Sequence, residues 1–247
     1  MSEELIIGKN PVIEALNSDR KVYSVSILDK LNKQTAEEIY EVAKGNNVTV
    51  NRVTKGKLDG LTSGRHQGIV AVVEGYEYSS LERLFKIADE RDELPFFIIL
   101  DEIEDPHNLG AILRTADATG AHGVIIPKRR AVGLTQAVAK ASAGAIEHIP
   151  VVQVTNIVQT IEKLKEKQVW IVGTGKEGAD DYRTLDGETS IAIVIGNEGK
   201  GISRLVKESC DWTVSLPMIG EIPSLNASVA SSLLMYEIYR KRHPQSE

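Results

Sequence analysis

Residues 95–127 read PFFIILDEIEDPHNLGAILRTADATGAHGVIIP, and the order of patterns within them decides the fold class. An uninterrupted apolar run, FFIIL at 96–100, is followed by a helical pattern from about 109 to 119, where Leu109, Ile112, Leu113 and Ala116 recur at helical spacing. A second apolar run, GVIIP at 123–127, closes the unit. Short apolar runs without polar interruption suit parallel strands covered by helices on both faces. The rhythm continues toward the C-terminus, with a helical pattern over 134–141, strands expected at 169–172, 191–195 and 213–216, and a closing helix over 225–242. Residues 95–247 are therefore expected to form an α/β domain with a mostly parallel sheet.

Upstream, apolar β-formers at 22–27, 48–50 and 69–73 alternate with helical patterns at 11–16 and 34–43. This predicts a small α/β domain over 1–75. Residues 76–94, YEYSSLERLFKIADERDEL, are charge-rich with one short amphipathic helix and no strand, and are expected to be a linker. A length of 247 residues accommodates this division.

With 42% hydrophobic, 26% charged and 5% aromatic residues, the composition excludes disordered and fibrous classes. The single Cys210 excludes an internal disulfide and a thiolate metal cluster, which fits a reducing compartment and predicts a cytoplasmic location. No apolar run approaches the ~20 residues of a membrane span, and MSEELIIGKN lacks the plan of a signal peptide. No membrane partner is expected. His66, His107, His122, His148 and His243 are scattered without ligand spacing, so no metal is expected either. A net charge of −6 argues mildly against a polyanionic partner, but the acid excess is local. Residues 76–105 hold 3 basic and 10 acidic side chains, whereas 106–150 hold 5 and 2. The run Lys128, Arg129 and Arg130 suits phosphates, and equally suits a solvated loop.

A pattern search first finds Gly173-Thr-Gly175-Lys-Glu-Gly178 after a predicted strand. A dinucleotide fingerprint must open a helix, and ADDYRTLDGETS at 179–190 has no helical apolar period. A phosphate-loop motif is absent, so nucleotide hydrolysis has no support.

Three other segments lie where predicted strands end, the usual address of ligands in α/β sheets. In the first, Asn108 stands at or near a helix start and Arg114 follows, with Gly110 between them. A cap and a solvent-facing charge would explain that pair as well as a site would. In the second, IAIVIGNEGKGIS at 191–203, Gly196, Gly199 and Gly201 surround Glu198; glycines let backbone amides approach a ligand. In the third, LPMIGEIPSLNASVASSLLMYEIYRKR at 216–242, Ser224 is expected to cap the last helix while Asn226 and Ser228 expose polar groups on its first turn. A cap needs one such residue, and the segment supplies five.

Together these segments resemble the SpoU/TrmH-type RNA ribose methyltransferases of the SPOUT superfamily. Asn108 with Arg114 is similar to the first family motif, Gly196-Asn197-Glu198-Gly199 with Gly201 to the second, and Ser224-Leu225-Asn226-Ala227-Ser228 to the third. The N-terminal segment, opening with IIGKNPVIEAL at 6–16 and closing with RHQGIVAVV at 65–73, resembles the RNA substrate-binding domain of the subgroup that methylates a guanosine of 23S rRNA. The resemblance implies S-adenosylmethionine as cofactor, a ribose 2′-hydroxyl of RNA as acceptor, a homodimer, and a trefoil knot, an exception among folds. It implies Arg114, Asn108, Glu198, Ser224 and Asn226 as catalytic residues, and an adenosine site near Thr174, Gly196, Leu216, Met218 and Leu225. Family usage gives Arg114 the proton of the attacking hydroxyl. An arginine with a pKa above ~12 stays charged, which favours a role in orienting phosphate and stabilising alkoxide, with Glu198 the other candidate base. Two rival functions stay open: a tRNA ribose 2′-O-methyltransferase, and an RNA-binding protein without catalysis whose glycine loops are structural.

Overall fold

The computed structural model describes residues 3–17, 20–62, 66–175, 179–221 and 224–244. The chain divides into two compact units, Met1–Glu77 and Tyr78–Glu247. The smaller unit runs β1 (Glu3–Ile7), α1 (Lys9–Leu16), β2 (Val22–Leu28), α2 (Lys33–Gly45), β3 (Thr49–Val53), α3 (Lys55–Leu61) and β4 (Ile69–Glu74). Its sheet has the order β1-β4-β2-β3, with β1 and β2 antiparallel to β4 and β3 parallel to β2. Residues alternate across such strands. Val25, Ile27, Ala71 and Val73 meet Val12, Leu16 and Ile39 of α1 and α2 in one core, while Val53 and Val70 meet Leu58 of α3 in another.

The larger unit continues with α4 (Leu81–Glu90), β5 (Phe96–Leu100), α5 (Pro106–Ala118), β6 (Gly123–Pro127), α6 (Gln136–Ser142), β7 (Val151–Val154), α7 (Ile157–Glu166), β8 (Trp170–Thr174), β9 (Asp180–Asp181), β10 (Ile191–Ile195), α8 (Arg204–Ser209), β11 (Trp212–Ser215) and α9 (Ala227–Arg242). Its seven strands are ordered β7-β6-β5-β10-β8-β11-β9, and every neighbouring pair is parallel. The chain lays β5, β6 and β7 outward on one side, crosses to β8, and later inserts β10 between β5 and β8. That reversal is a topological switch point, where the carboxyl ends of the strands leave a crevice. Both central strands, β5 and β10, are fully buried. Phe97 and Ile99 share a core with Leu84 of α4, Ile161 and Leu164 of α7 and Val206 of α8. Residues 78–94 thus belong to the packing of this unit. By alternation Phe96 faces the other way, where Arg242 at the end of α9 stands 5.4 Å from its ring.

Two helix starts differ from those read in the sequence. Helix α5 begins at Pro106, because Asp105 accepts a hydrogen bond from the His107 amide at 2.9 Å and proline is preorganised for the first helical position. Asn108 therefore lies inside the first turn and is not its cap. Helix α9 is capped by Asn226, whose Oδ1 accepts from the amides of Ser228 at 2.9 Å and Val229 at 3.3 Å. The expected cap, Ser224, lies outside the helix.

Two polar side chains, buried His122 and half-buried Arg242, hold the larger unit together. His122 accepts the Phe96 amide at Nδ1, 3.0 Å, so its proton sits on Nε2 and points at Glu93 Oε2, also 3.0 Å away. Burial pushes its pKa below the ordinary histidine value despite Glu93. Arg242 donates from Nε to the Gly187 carbonyl at 3.0 Å, from Nη1 to Leu94 at 2.7 Å, and from Nη2 to Pro95 at 3.3 Å and Thr189 at 3.0 Å. Removing it takes the donor from the Gly187, Leu94 and Thr189 carbonyls, while Pro95 keeps the Ile191 amide at 2.9 Å. Arg242→Ala is expected to lower stability by about 2–4 kcal/mol, seen as a lower urea midpoint at unchanged slope. Arg242→Lys recovers only part of this, because one ammonium cannot serve four directions. Among the described residues, no helix is long and apolar enough to cross a membrane.

Candidate active site

The glycine segment after β10 is a closed loop. The Asn197 amide donates to the Gly201 carbonyl at 3.1 Å, and the Gly201 amide donates back to Asn197 at 2.8 Å. Within it, Asn197 Oδ1 accepts the amides of Gly199 at 3.0 Å and Lys200 at 3.3 Å. Closure demands two of the three glycines. A Cβ on Gly196 would stand 2.2 Å from the carbonyl carbon of Gly201, and Gly201 has φ +71°. At Gly199 a Cβ would meet only Asn197 Oδ1, at 3.6 Å, so sterics do not require glycine there.

The loop is anchored to the start of the α5 segment. Asn197 Nδ2 donates to the Glu102 carbonyl at 3.2 Å, and buried Asp101 accepts the Ser203 amide at 2.7 Å. Neither anchor was among the residues expected from the sequence. An asparagine two residues before a glycine is a turn signal, so Asn197 was legible in principle. Asp101 gives no local signal, because its partner lies 102 positions away.

Glu198 joins the three segments into one cluster. Its Oε1 accepts from Asn108 Nδ2 at 3.0 Å, Asn226 Nδ2 at 2.6 Å and the Ala227 amide at 3.2 Å. Asn226 Nδ2 also approaches Asn108 Oδ1, at 2.9 Å. The carboxylate thus fixes the first turns of α5 and α9 to the glycine loop, and hydrogen bonds to an ionised group are the stronger kind. About two turns further along α5, Thr115 Oγ1 meets Ser232 Oγ of α9 at 2.9 Å.

Beside the cluster lies a cavity of about 640 Å³. Thr174, Gly196, Leu216, Met218 and Leu225 all line it, together with Glu198 and Ser224. Its volume falls in the range of small-molecule sites, and its wall mixes apolar side chains with backbone of the glycine loop. Asn108 and Asn226 buttress the wall and do not line it. Arg114 stands apart from it, about 9 Å along α5 from Asn108 at 1.5 Å per residue. The Arg114 side chain is exposed and makes no hydrogen bond or ion pair among the described residues.

Other candidates fall away. Gly173 and Gly175 sit at the end of β8, Gly178 lies outside the described residues, and the chain resumes as β9 and a 3-10 turn rather than a helix. The Cys210 thiol, pushed up to about 11 by burial, is not a nucleophile at neutral pH. Among the described residues, no group of three or more His, Cys, Asp or Glu side chains is placed to hold a metal ion.

A parallel sheet with a cavity of small-molecule size at the carboxyl ends of β8, β10 and β11, walled by a closed glycine loop, has the form of a ligand-binding α/β domain. The chain belongs to the SpoU rRNA methylase family, whose model matches residues 95–236. A second family model, for RNA 2′-O ribose methyltransferase substrate binding, matches residues 5–79. The protein is thus an RNA methyltransferase by family. It is 57% identical over 99% of its length, and 98% of the relative's, to YacO of Bacillus subtilis (strain 168), named for the TrmH family of tRNA/rRNA methyltransferases. Among solved structures it resembles the SpoU methyltransferase AviRb of Streptomyces viridochromogenes in complex with AdoMet, at 28% identity and a TM-score of 0.63, covering 97% of this chain and 90% of that one. It also resembles an AdoMet-bound rRNA methyltransferase of Sinorhizobium meliloti, at 25% identity and a TM-score of 0.60, covering 99% and 88%.

Proposed function

We propose that the protein transfers a methyl group from S-adenosylmethionine to a ribose 2′-hydroxyl of RNA, with a guanosine of 23S rRNA as target. The observation that carries this reading is the Glu198 cluster, which locks three separate segments against one cavity. The cavity suits the donor. Val214, Ile202 and Leu225 offer apolar surface to an adenine ring, and Gly196 brings backbone to the cavity wall. Thr174, Gly196, Leu216, Met218 and Leu225 would hold the adenosine.

When bound, S-adenosylmethionine supplies a methyl group on a sulfonium, open to in-line attack by an oxygen. The residues of this chain must place the ribose oxygen and manage its proton, so positioning dominates. Arg114, exposed and unpaired among the described residues, orients the phosphate next to the target ribose and stabilises the developing alkoxide. Glu198 serves as the anchor, since its Oε1 already accepts three donors. Ser224, on the cavity wall, hydrogen-bonds the ribose; Asn108 and Asn226 keep the wall in place. Residues 1–75 recruit the RNA, and 95–247, with 78–94 packed into the same unit, carry the chemistry and the knot of the superfamily.

Arg114→Ala, assayed with tritiated S-adenosylmethionine, is expected to lose at least about 100-fold in RNA methylation while retaining donor affinity. Incorporation near the wild-type level would remove Arg114 from the mechanism. The rRNA target is tested in a strain lacking the protein, where one 2′-O-methylguanosine should vanish from 23S rRNA; a lost tRNA mark would favour the tRNA alternative, which the name of YacO also covers.

The active form is a homodimer. Val229, Leu233, Tyr236 and Tyr239 of α9 are 47%, 43%, 50% and 38% exposed, and their spacing places them along one side of the helix. A second copy covers this stripe. Tyr236→Glu is expected to sediment as a monomer, whereas an unchanged dimer would move the interface elsewhere.

A further inference from the structure

The basic run after β6 is not one functional unit. Arg130 has a left-handed backbone, φ +56°, and its Nη1 lies 3.1 Å from Glu102 Oε1. Glu102 is itself left-handed, φ +59°, and its carbonyl is the acceptor for Asn197 of the glycine loop. Arg130, though exposed, is thus paired across two strand-end turns. Lys128 and Arg129 are different. Both are exposed, and among the described residues neither side chain makes a hydrogen bond or an ion pair.

Their backbone is nevertheless fixed on both sides. The Lys128 amide donates to the Val154 carbonyl at 2.8 Å and the Val132 amide to Ile103 at 2.9 Å. Two residues on, the Leu134 amide donates to the Tyr78 hydroxyl at 2.9 Å. The two free cations are therefore presented from an ordered turn, which reduces the entropy lost on engaging a partner.

Their address matters as much as their freedom. Strand β6 pairs with β5, β5 pairs with β10, and all are parallel, so Lys128 and the glycine loop leave the same edge of the sheet. With about 4.8 Å between neighbouring strands, two strands place them roughly 10 Å apart along that edge. The charge is also local, since 106–150 carry 5 basic and 2 acidic residues in a chain of net charge −6.

We propose that Lys128 and Arg129 form a phosphate contact within the methyltransferase unit, gripping the RNA backbone beside the cavity. Phosphate contacts carry no sequence information but fix register, so this pair helps decide which ribose reaches the donor. The inference takes RNA as the partner, as family membership assigns it, and deepens the functional proposal without depending on the identity of the donor.

The test uses the full chain with a 23S rRNA transcript, measuring affinity by filter binding across a salt series. Lys128→Gln/Arg129→Gln is expected to weaken binding on the order of 10-fold near 0.1 M salt and to flatten the slope of log K against log salt by about 1.4, or 0.7 per lost phosphate contact. S-adenosylmethionine affinity should not change. Arg130→Gln should leave the salt slope unaltered. The comparison variant Lys163→Gln/Lys167→Gln removes the same charge from the end of α7 and its C-cap, where the chain returns to the opposite edge of the sheet, and should bind RNA as the wild type does. An unchanged affinity and slope in the Lys128/Arg129 variant would overturn the proposal. So would an equal loss in the α7 variant, which would reduce the effect to net charge. A wild-type protein that binds RNA but takes up no donor would sink the methylation proposal and leave this one standing.

Discussion

Gly196→Ala is expected to abolish binding of S-adenosylmethionine, with no measurable heat on titration. The methyl group it adds would stand 2.2 Å from the Gly201 carbonyl carbon and 2.3 Å from the Ile202 amide nitrogen, both backbone atoms. No side chain can swing away to make room, so the bridge between Asn197 and Gly201 must open and the cavity wall must move. Overpacking of this kind costs about 1–3 kcal/mol, which leaves a domain of this size folded with a lower melting temperature. Gly199→Ala is the matched comparison, since its methyl meets nothing closer than 3.6 Å. It should retain affinity within a few-fold. Equal binding by both variants would mean that the glycine loop is not the wall of the donor site.

Glu198→Ala is expected to lower kcat/KM for RNA methylation by about 100-fold or more, because displacement of a positioning element by even 1 Å has that effect. Three donors, from Asn108, Asn226 and the Ala227 amide, lose their shared acceptor. Glu198→Gln separates charge from shape. Its carboxamide oxygen can still accept, so a partial recovery marks Glu198 as an anchor, whereas an equally dead variant would assign the carboxylate to proton transfer. Single-turnover measurements at saturating donor distinguish a loss in chemistry from a loss in affinity.

How much of this was legible in the sequence depended on where an element sits in the sheet. The central strands β5 and β10 match the apolar runs FFIIL and IAIVI residue for residue, because a strand buried on both faces leaves an unbroken apolar signature. Strands β1, β7 and β9 were not foreseen, and each lies at an edge of its sheet. Edge strands are short and half-solvated; EELII, VVQV and DD carry no period long enough to read. The caps show a different limit. Ser224 and Asn226 are equally good capping residues by type, and it is Asn226 that reaches the α9 amides, with its Nδ2 held on Glu198. At α5 the signal was present, since Asp105 followed by Pro106 marks a helix start more firmly than Asn108 does.

The candidate site was legible as three motifs but not as a geometry. Spacing along the chain pointed to Asn108, Glu198 and Asn226, and the fold joins them by hydrogen bonds across 90 and 118 positions. Sequence could not separate the residues that line the cavity from those that buttress it, nor place Arg114 outside its wall. Those distinctions arise from helix phase and loop closure, which depend on tertiary packing.

Transfer of a methyl group to a ribose oxygen is tested at its core by where that methyl sits in product RNA. The purified protein, methyl-tritiated S-adenosylmethionine and a 23S rRNA transcript are incubated together, and the RNA is then hydrolysed in alkali. Alkaline cleavage needs a free 2′-hydroxyl, so tritium is expected in alkali-resistant dinucleotides. Label recovered in mononucleotides, or no label in RNA at all, would contradict it.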